Sequence, residues 1–173
     1  MSLEDRLYPW LAAYNALPQW TQSVLGTAYR QLPQAWRLGL RYTEFAELAK
    51  AGETWSVEET QEYQLKQLRM VLHHAANFCP YYQKTFAKTA FRPESVRTLD
   101  DMANCPLLEK RDLIEHRDQL ASTNVPASQR LYITTGGSTG IPVGFYLQKG
   151  VSRPKEQAFL EWMWARAGYF KHA

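Results

Sequence analysis

The chain has 173 residues, of which 45% are hydrophobic and 21% charged, and its formal net charge is +3. This composition provides enough apolar material for a folded core and excludes general disorder. Acidic and basic residues are interleaved, for example over residues 109–112, as on a solvated helix face. We therefore expect no nucleic-acid partner.

The sequence also gives no sign of membrane insertion or of a metal centre. No run approaches the roughly 18 apolar residues of a membrane span. The N-terminus begins with acidic residues and not with the basic region of a signal peptide, so we expect a cytoplasmic protein. Cys79 and Cys105 have neither CxxC nor metal-ligand spacing, which favours reduced, buried thiols and predicts no metal site.

Residues 1–50 form an aromatic-rich region, for which we predict short helices. Three prolines separate these helices: Pro9, Pro18 and Pro33. The aromatic side chains could cover a partner domain or a membrane surface, and three arginines keep the latter conceivable. Packing on the chain's own body is the simpler expectation, so contact with a membrane surface is not expected.

Residues 51–129 are predicted to be helical. A capping box at Ser56 and Glu59 starts the clearest helix, which should end near Phe78 because Pro80 disfavours helical geometry in the residue before it. His73 and His74 suit the C-terminal dipole of that helix as cations, a structural role. Further helices are predicted over residues 81–90, from 98 onwards, over 110–120 and from a Ser152 cap to Gly168.

Residues 130–173 contain a different pattern, a strand, a glycine-rich loop, a second strand and a helix. Arg130–Thr134 and residues 143–147 are rich in strand formers. The sequence thus predicts an α+β, predominantly helical fold with one β-hairpin. Three glycines within residues 136–140 allow backbone amides to converge on an anion, and a loop of this kind suits a polyphosphate.

The loop does not match the two best-known phosphate motifs. A Walker A loop needs a lysine after its last glycine, and none follows Gly140. A Rossmann fingerprint is also excluded, because Gly136 and Gly137 are adjacent and a strand follows. On composition alone, a hairpin loop without a ligand is as good an interpretation as an anion site.

The motif TGGSTGIP at residues 135–142 resembles the phosphate loop of the adenylate-forming ligase superfamily. Residues 75–82, 105–113 and 164–169 are similar to segments of one branch, the phenylacetate–coenzyme A ligase-like proteins. This branch includes relatives encoded with capsular-polysaccharide genes. The resemblance runs from about Ser56 to the C-terminus, so the chain resembles an N-terminal portion of such an enzyme.

The resemblance implies that a carboxylate attacks ATP to give an acyl-adenylate and pyrophosphate, and that a thiol, commonly coenzyme A, then takes the acyl group. ATP, Mg²⁺ and coenzyme A are the implied cofactors, and a nucleotide is the implied partner. The implied phosphate-binding residues are Thr135, Gly136, Gly137, Ser138, Thr139 and Gly140.

Three departures from the family pattern accompany the resemblance. Val143 stands where many superfamily loops have lysine, and Glu109 replaces a small hydroxyl residue, which weakens the predicted cap before Lys110. Lys110 and Lys149 are interpreted as solvated surface charges. Family members continue for several hundred residues, so the acyl pocket and the catalytic C-terminal domain are expected in a missing portion or a second chain.

No catalytic residue is assigned, and we expect little or no turnover by the chain alone. A non-enzymatic helical module that binds a protein or a membrane is the alternative. Loss of nucleotide affinity on Gly137→Val would favour the ligase interpretation. A complete small phosphotransferase is least favoured, because the next acidic residue, Glu156, already lies in the following helix.

Overall fold

In the computed structural model, described here for residues 3–136, 140 and 142–169, the chain forms two compact units. Unit 1 comprises residues 1–54 and 148–173, and unit 2 comprises residues 55–147. The fold is mostly helical with one two-stranded antiparallel sheet, which confirms the predicted α+β, predominantly helical class. Residues 137–139 and 141 of the predicted phosphate loop lie outside the described residues.

The regular elements follow one another along the chain with short connections. The helices are α1 (Leu3–Leu7), α2 (Leu11–Asn15), α3 (Gln19–Gln31), α4 (Gln34–Leu38), α5 (Leu40–Ala51), α6 (Val57–Phe78), α7 (Pro80–Thr89), α8 (Lys110–Glu115), α9 (Arg117–Leu120) and α10 (Ser152–Arg166). The strands are β1 (Arg130–Thr134) and β2 (Gly144–Gln148). Short 3-10 turns cover residues 8–10, 52–54, 93–95, 100–104 and 127–129.

Unit 1 is built around the pairing of α5 with α10, in which Ala49 and Ala158 are buried and polar side chains add hydrogen bonds. Glu161 of α10 accepts hydrogen bonds from Tyr42 at 2.5 Å and from Gln34 at 2.8 Å. Asp5 is only 4% exposed and accepts a hydrogen bond from the backbone amide of Gly150. Specific polar contacts therefore hold together much of this unit.

Unit 2 has an apolar core formed by α6, α7 and the segment that follows α7 as far as Val96. Helix α6 begins with the predicted capping box, in which Glu59 N donates to Ser56 Oγ at 3.1 Å and Ser56 N donates to Glu59 Oε2 at 2.7 Å. It ends at Phe78, as Pro80 predicted. The buried core residues are Leu72, Ala75, Phe86, Phe91 and Val96.

Local contacts correct several predicted boundaries. Residues 110–120 form two helices, because His116 leaves helical geometry (φ −116°, ψ 20°) and its carbonyl accepts from the amides of the next turn. Residues 98–101 lead into a 3-10 turn and not into an α-helix. Ser152 is the first residue of α10 and not its cap; its Oγ accepts from Gln148 N at 3.1 Å. Gly168, at φ +84°, follows the helix end as predicted.

The aromatic residues of the first 50 positions divide into two groups. Tyr29 and Tyr42 are half-buried and hydrogen-bonded inside unit 1, at 3.0 Å to Glu4 and 2.5 Å to Glu161. Three tryptophans are instead 68–72% exposed: Trp10, Trp20 and Trp36. The expectation that this region packs on the chain's own body is therefore wrong for the tryptophans.

Candidate functional site

The base of the glycine-rich loop is closed by Thr135 and Val143. The amide of Thr135 donates to the carbonyl of Val143 at 2.9 Å, and the amide of Val143 donates to Thr135 Oγ1 at 3.0 Å. Both ends of the loop are thereby fixed at the end of the β1–β2 hairpin. Thr135, one of the predicted phosphate-binding residues, thus has a structural contact in the hairpin.

A close contact between Tyr132 and Gly144 shapes the hairpin just before the loop. A Cβ atom added to Gly144 would lie 2.1 Å from the Tyr132 hydroxyl oxygen, so the tyrosine can lie across this position only because glycine has no side chain. Tyr132 also packs against Tyr146, with ring centroids 5.7 Å apart. The two tyrosines stiffen one face of the hairpin.

Two residues of helix α9 contact the hairpin face that carries Tyr132 and Tyr146, and they form a small polar network with these tyrosines. The Arg117 guanidinium lies over the Tyr132 ring, 5.3 Å from its centroid, and donates to Asp118 at 3.2 Å. The Tyr146 hydroxyl donates to the same Asp118 oxygen at 3.0 Å. The hydrogen bond from Arg117 is the main reason why the pKa of Asp118 lies below its usual value.

The start of the hairpin is attached to the end of α6. Arg130, the first residue of β1, donates to the carbonyls of Val125 at 2.9 Å and Ser122 at 2.7 Å. In the same connector, Thr123 N donates to the carbonyl of Phe78 at 2.7 Å and so satisfies the C-terminal end of α6. The hairpin is therefore positioned by a long, well-packed helix of unit 2.

A lysine reaches the last glycine of the loop. A Cβ atom added to Gly140 would lie 3.4 Å from Lys110 Nζ, which places the exposed ammonium group of α8 beside the motif. Helix α8 begins at Lys110, and the amide of Glu109 donates to Asp112 Oδ2 at 3.0 Å. Glu109 and Asp112 form a complete capping box at this helix start, so the expectation that Glu109 weakens the cap is wrong.

Segments that are distant in the sequence meet around α8. Tyr81, at the start of α7, packs its ring against His116, with centroids 5.4 Å apart. Burial raises the pKa of Tyr81, and the charge of nearby Asp112 raises it further. Tyr81, Asp112 and Gly140 come from three of the segments quoted for the family resemblance, and within unit 2 Tyr81 and Gly140 both lie next to α8, the helix that contains Asp112.

The structure describes three of the six predicted phosphate-binding residues. Thr135 closes the loop, Gly136 has open space where a Cβ would lie, and Gly140 lies beside Lys110. Gly137, Ser138 and Thr139 lie outside the described residues. Lys110, interpreted from the sequence as a solvated surface charge, is exposed and lies beside Gly140. This closeness of Lys110 to the loop was not predicted from the sequence.

Unit 2 has two other features that resemble functional sites, a groove along α6 and a contact between His74 and Ser122. An open groove of about 670 Å³ runs along α6 and is lined by residues of that helix alone. His74 Nε2 lies 2.8 Å from Ser122 Oγ, but this hydroxyl is also within 2.7 Å of Asn124 Oδ1. The Ser122 segment thus serves the turn that satisfies the end of α6, and we assign no nucleophile there.

Both cysteines lie in unit 2, where Cys79 is buried and Cys105 is half-buried. Cys79 and Cys105 are free, and burial raises the pKa of each thiol, which disfavours a reactive thiolate. Among residues 3–136, 140 and 142–169, no three His, Cys, Asp or Glu side chains are grouped to hold a metal ion. None of the helices in these ranges combines the length and apolar character needed to cross a bilayer.

Comparison with known proteins gives partial similarity to one kind of enzyme. The chain is 34% identical over 93 residues to a phenylacetate-coenzyme A ligase of Escherichia coli, covering 52% of this chain and 21% of that enzyme. It is 38% identical over 61 residues to a phenylacetate-coenzyme A ligase of Pseudomonas putida, covering 35% of this chain and 14% of that enzyme. No family model matches the chain. These partial similarities support a relationship to adenylate-forming ligases.

Proposed function

We propose that this chain carries the pyrophosphate-binding part of an ATP-dependent, carboxylate-activating enzyme of the acyl-coenzyme A ligase kind. The observation that carries the proposal is the Lys110 ammonium group beside Gly140, at a glycine-rich loop fixed by Thr135 and Val143. The partial similarity to phenylacetate-coenzyme A ligases supports the same reaction class. The finer placement in the branch linked to capsular polysaccharide, and a cytoplasmic location, are part of this proposal.

Lys110 supplies the cation that the loop itself lacks. Val143 stands where many related loops have lysine, and Lys110 brings an ammonium group to the other end of the same segment. Negative charge builds on pyrophosphate as it leaves the α-phosphorus, and a preplaced ammonium group stabilises that charge. The amides of the loop glycines and the hydroxyls of Ser138 and Thr139 provide the hydrogen-bond donors.

In this proposal, some residues bind the phosphates and others support the hairpin that carries the loop. The loop and Lys110 bind the β- and γ-phosphates, and Arg117, Asp118 and Arg130 hold the hairpin in position. Any Mg²⁺ enters with the nucleotide, where it neutralises phosphate charge.

Pyrophosphate binding tests the proposal directly. Titration of the chain with pyrophosphate, followed by calorimetry and by phosphorus NMR, should give saturable binding that Lys110→Ala weakens about tenfold. Loss of one charge-assisted contact is worth about 1.5 kcal/mol, and 1.4 kcal/mol is a factor of ten. Lys88→Ala, which removes an exposed lysine from the end of α7, is the matched control and should bind like the unchanged chain.

Equal affinities for the Lys110 and Lys88 variants would refute the role of Lys110. Absence of any saturable pyrophosphate or ATP binding would refute the function itself. Turnover is a separate question, because the aligned segments cover only 14% and 21% of the two related enzymes. We expect no ATP–pyrophosphate exchange by the chain alone, and exchange at the rate of an ordinary ligase would contradict this expectation.

The exposed tryptophans of unit 1 favour a second candidate function, a helical module for interaction. In this alternative, nucleotide affinity is absent and binding to a partner depends on Trp10, Trp20 or Trp36. The pyrophosphate titration therefore separates the two candidates.

A further inference from the structure

Helix α3 of unit 1 exposes large apolar side chains among exposed polar ones, while its half-buried positions include polar residues. Trp20 is 72% exposed and Val24, one turn later, is 62% exposed. The opposite side of the helix faces the unit: Tyr14 donates to the carbonyl of Gln22 at 3.0 Å, and Tyr29 donates to Glu4 at 3.0 Å. A helix on a water-exposed surface normally turns its large apolar side chains toward the core.

A similar arrangement occurs in the first turns of the chain. Asp5 is buried and Glu4 is bonded to Tyr29, whereas Trp10 and Leu11 are exposed. Six of the exposed apolar residues of this stretch include its three exposed tryptophans, and we call these six residues the aromatic surface. They are Trp10, Leu11, Trp20, Val24, Leu25 and Trp36. Exposed apolar residues in such density mark a surface that meets another apolar phase or a partner.

The charges of this stretch identify the chemistry of the partner. Residues 6–43 contain four arginines and no aspartate, glutamate or lysine. Arg6 and Arg30 are exposed in the structure, and Arg30 lies on α3 itself. Arg41 is paired with Glu44 at 3.2 Å, so Arg6 and Arg30 are the cations that favour a counterpart that is anionic as well as apolar.

We propose that the aromatic surface of unit 1 binds the surface of an anionic lipid bilayer. Tryptophan rings suit the boundary between headgroups and acyl chains, because one edge of the indole is polar and the rest is apolar. Arginines beside them gain electrostatic energy from anionic headgroups. Leu38, Ala49 and Ala158 are buried within unit 1, and the tryptophans, which are 68–72% exposed, remain available for this contact. This inference is independent of the pyrophosphate site.

Vesicle binding tests the inference with the whole chain. Sedimentation with vesicles of phosphatidylcholine and phosphatidylglycerol in a 7:3 ratio should bring down the protein, and phosphatidylcholine vesicles should bind it at least tenfold more weakly. Trp20→Ser combined with Val24→Ser should lower the partition coefficient at least tenfold. Both substitutions lie on the exposed face of α3, so helicity by circular dichroism should be unchanged.

A matched control is Trp164→Ser, which removes a tryptophan of α10 that is 56% exposed and lies outside the aromatic surface. It should leave vesicle binding unchanged. Arg30→Glu should weaken binding to the anionic vesicles while leaving the weak binding to phosphatidylcholine as it is. Such a result would separate the cationic contribution from the apolar one.

Three outcomes would overturn the inference. The first is no sedimentation with anionic vesicles, and the second is equal loss of binding for the Trp20 and Trp164 variants. The third is a concentration-dependent dimer that Trp20→Ser dissociates in the absence of lipid, which would make a second copy the occupant. Analytical ultracentrifugation of the same variants detects this last case.

Discussion

The two units of this chain are stabilised in contrasting ways. Unit 2 buries leucine, phenylalanine and valine from α6, α7 and the following turn in one continuous core. Unit 1 buries Leu38, Ala49 and Ala158 as well as Asp5, and Tyr42 and Glu161 join α5 to α10, while its tryptophans remain exposed. Unit 1 thus combines a few buried apolar side chains with oriented hydrogen bonds, whereas unit 2 relies on a cluster of large apolar ones. We therefore expect the stability of unit 1 to respond to other substitutions than the stability of unit 2, and to change over a different pH range.

The largest expected effect comes from the core of unit 2. Phe86 is buried and packs between Tyr82 and Phe91, at centroid distances of 5.3 and 4.9 Å. Phe86→Ala should lower the free energy of unfolding by about 3–5 kcal/mol, because burial is lost and a cavity is left. Urea unfolding followed by circular dichroism measures this change.

The control for the core prediction is Val71→Ala, which truncates an exposed residue of α6 and should cost less than about 0.5 kcal/mol. If the Phe86 and Val71 variants unfold at the same urea concentration, the aromatic cluster is not what holds unit 2 together, and the contrast between the units fails.

A smaller effect is expected from the polar junction of unit 1. Tyr42→Phe removes the hydrogen bond to Glu161 and should cost about 1.5 kcal/mol at neutral pH, the lower range for a bond to a charged group. Equilibrium unfolding of the variant measures this, and Tyr169→Phe at an exposed site is the control.

The same variant should change the pH dependence of stability. Burial, followed by the hydrogen bond to Glu161, raises the pKa of Tyr42 above its usual value near 10. The folded chain therefore keeps this proton at a pH where the unfolded chain loses it, and stability must fall as pH rises above about 10. Tyr42→Phe should show a shallower alkaline decline, and an unchanged slope would contradict the assignment.

The smallest effect concerns the start of α6. Ser56→Ala removes the side-chain acceptor of the Glu59 amide and should cost about 1 kcal/mol. Ser56→Asp keeps an acceptor at the same position and should restore most of that loss. Unfolding midpoints of the three proteins give the comparison, and a loss shared by both variants would show that the hydroxyl acts in some other way.

The elements that the sequence predicted correctly are those governed by neighbouring residues. The capping box at Ser56 and the proline at position 80 define the bounds of α6, and strand-forming residues define β1. The break at His116 was missed because it depends on contacts away from the helix, such as the packing of its ring on Tyr81. Periodicity within residues 110–120 carries no information about that partner.

For the candidate site too, contacts between distant segments could not be predicted from the sequence. The glycine pattern identified the loop, but the closeness of Lys110 to Gly140 depends on how α8 and the hairpin pack in unit 2. Likewise, the aromatic composition of residues 1–50 could not show which rings face inward. Tyr29 and Tyr42 have hydroxyls that bond to carboxylates, whereas Trp10 and Trp20 remain at the surface.

The contact between Tyr132 and Gly144 also restricts how this hairpin can diverge. A Cβ atom at position 144 would lie 2.1 Å from the Tyr132 hydroxyl oxygen, so the tyrosine ring has to move to accept a side chain there. Tyr132 is 46% exposed, which leaves room for its ring on the solvent side. Such a movement breaks the contacts of this ring with Tyr146 and Arg117, so divergence at position 144 is coupled to those two residues.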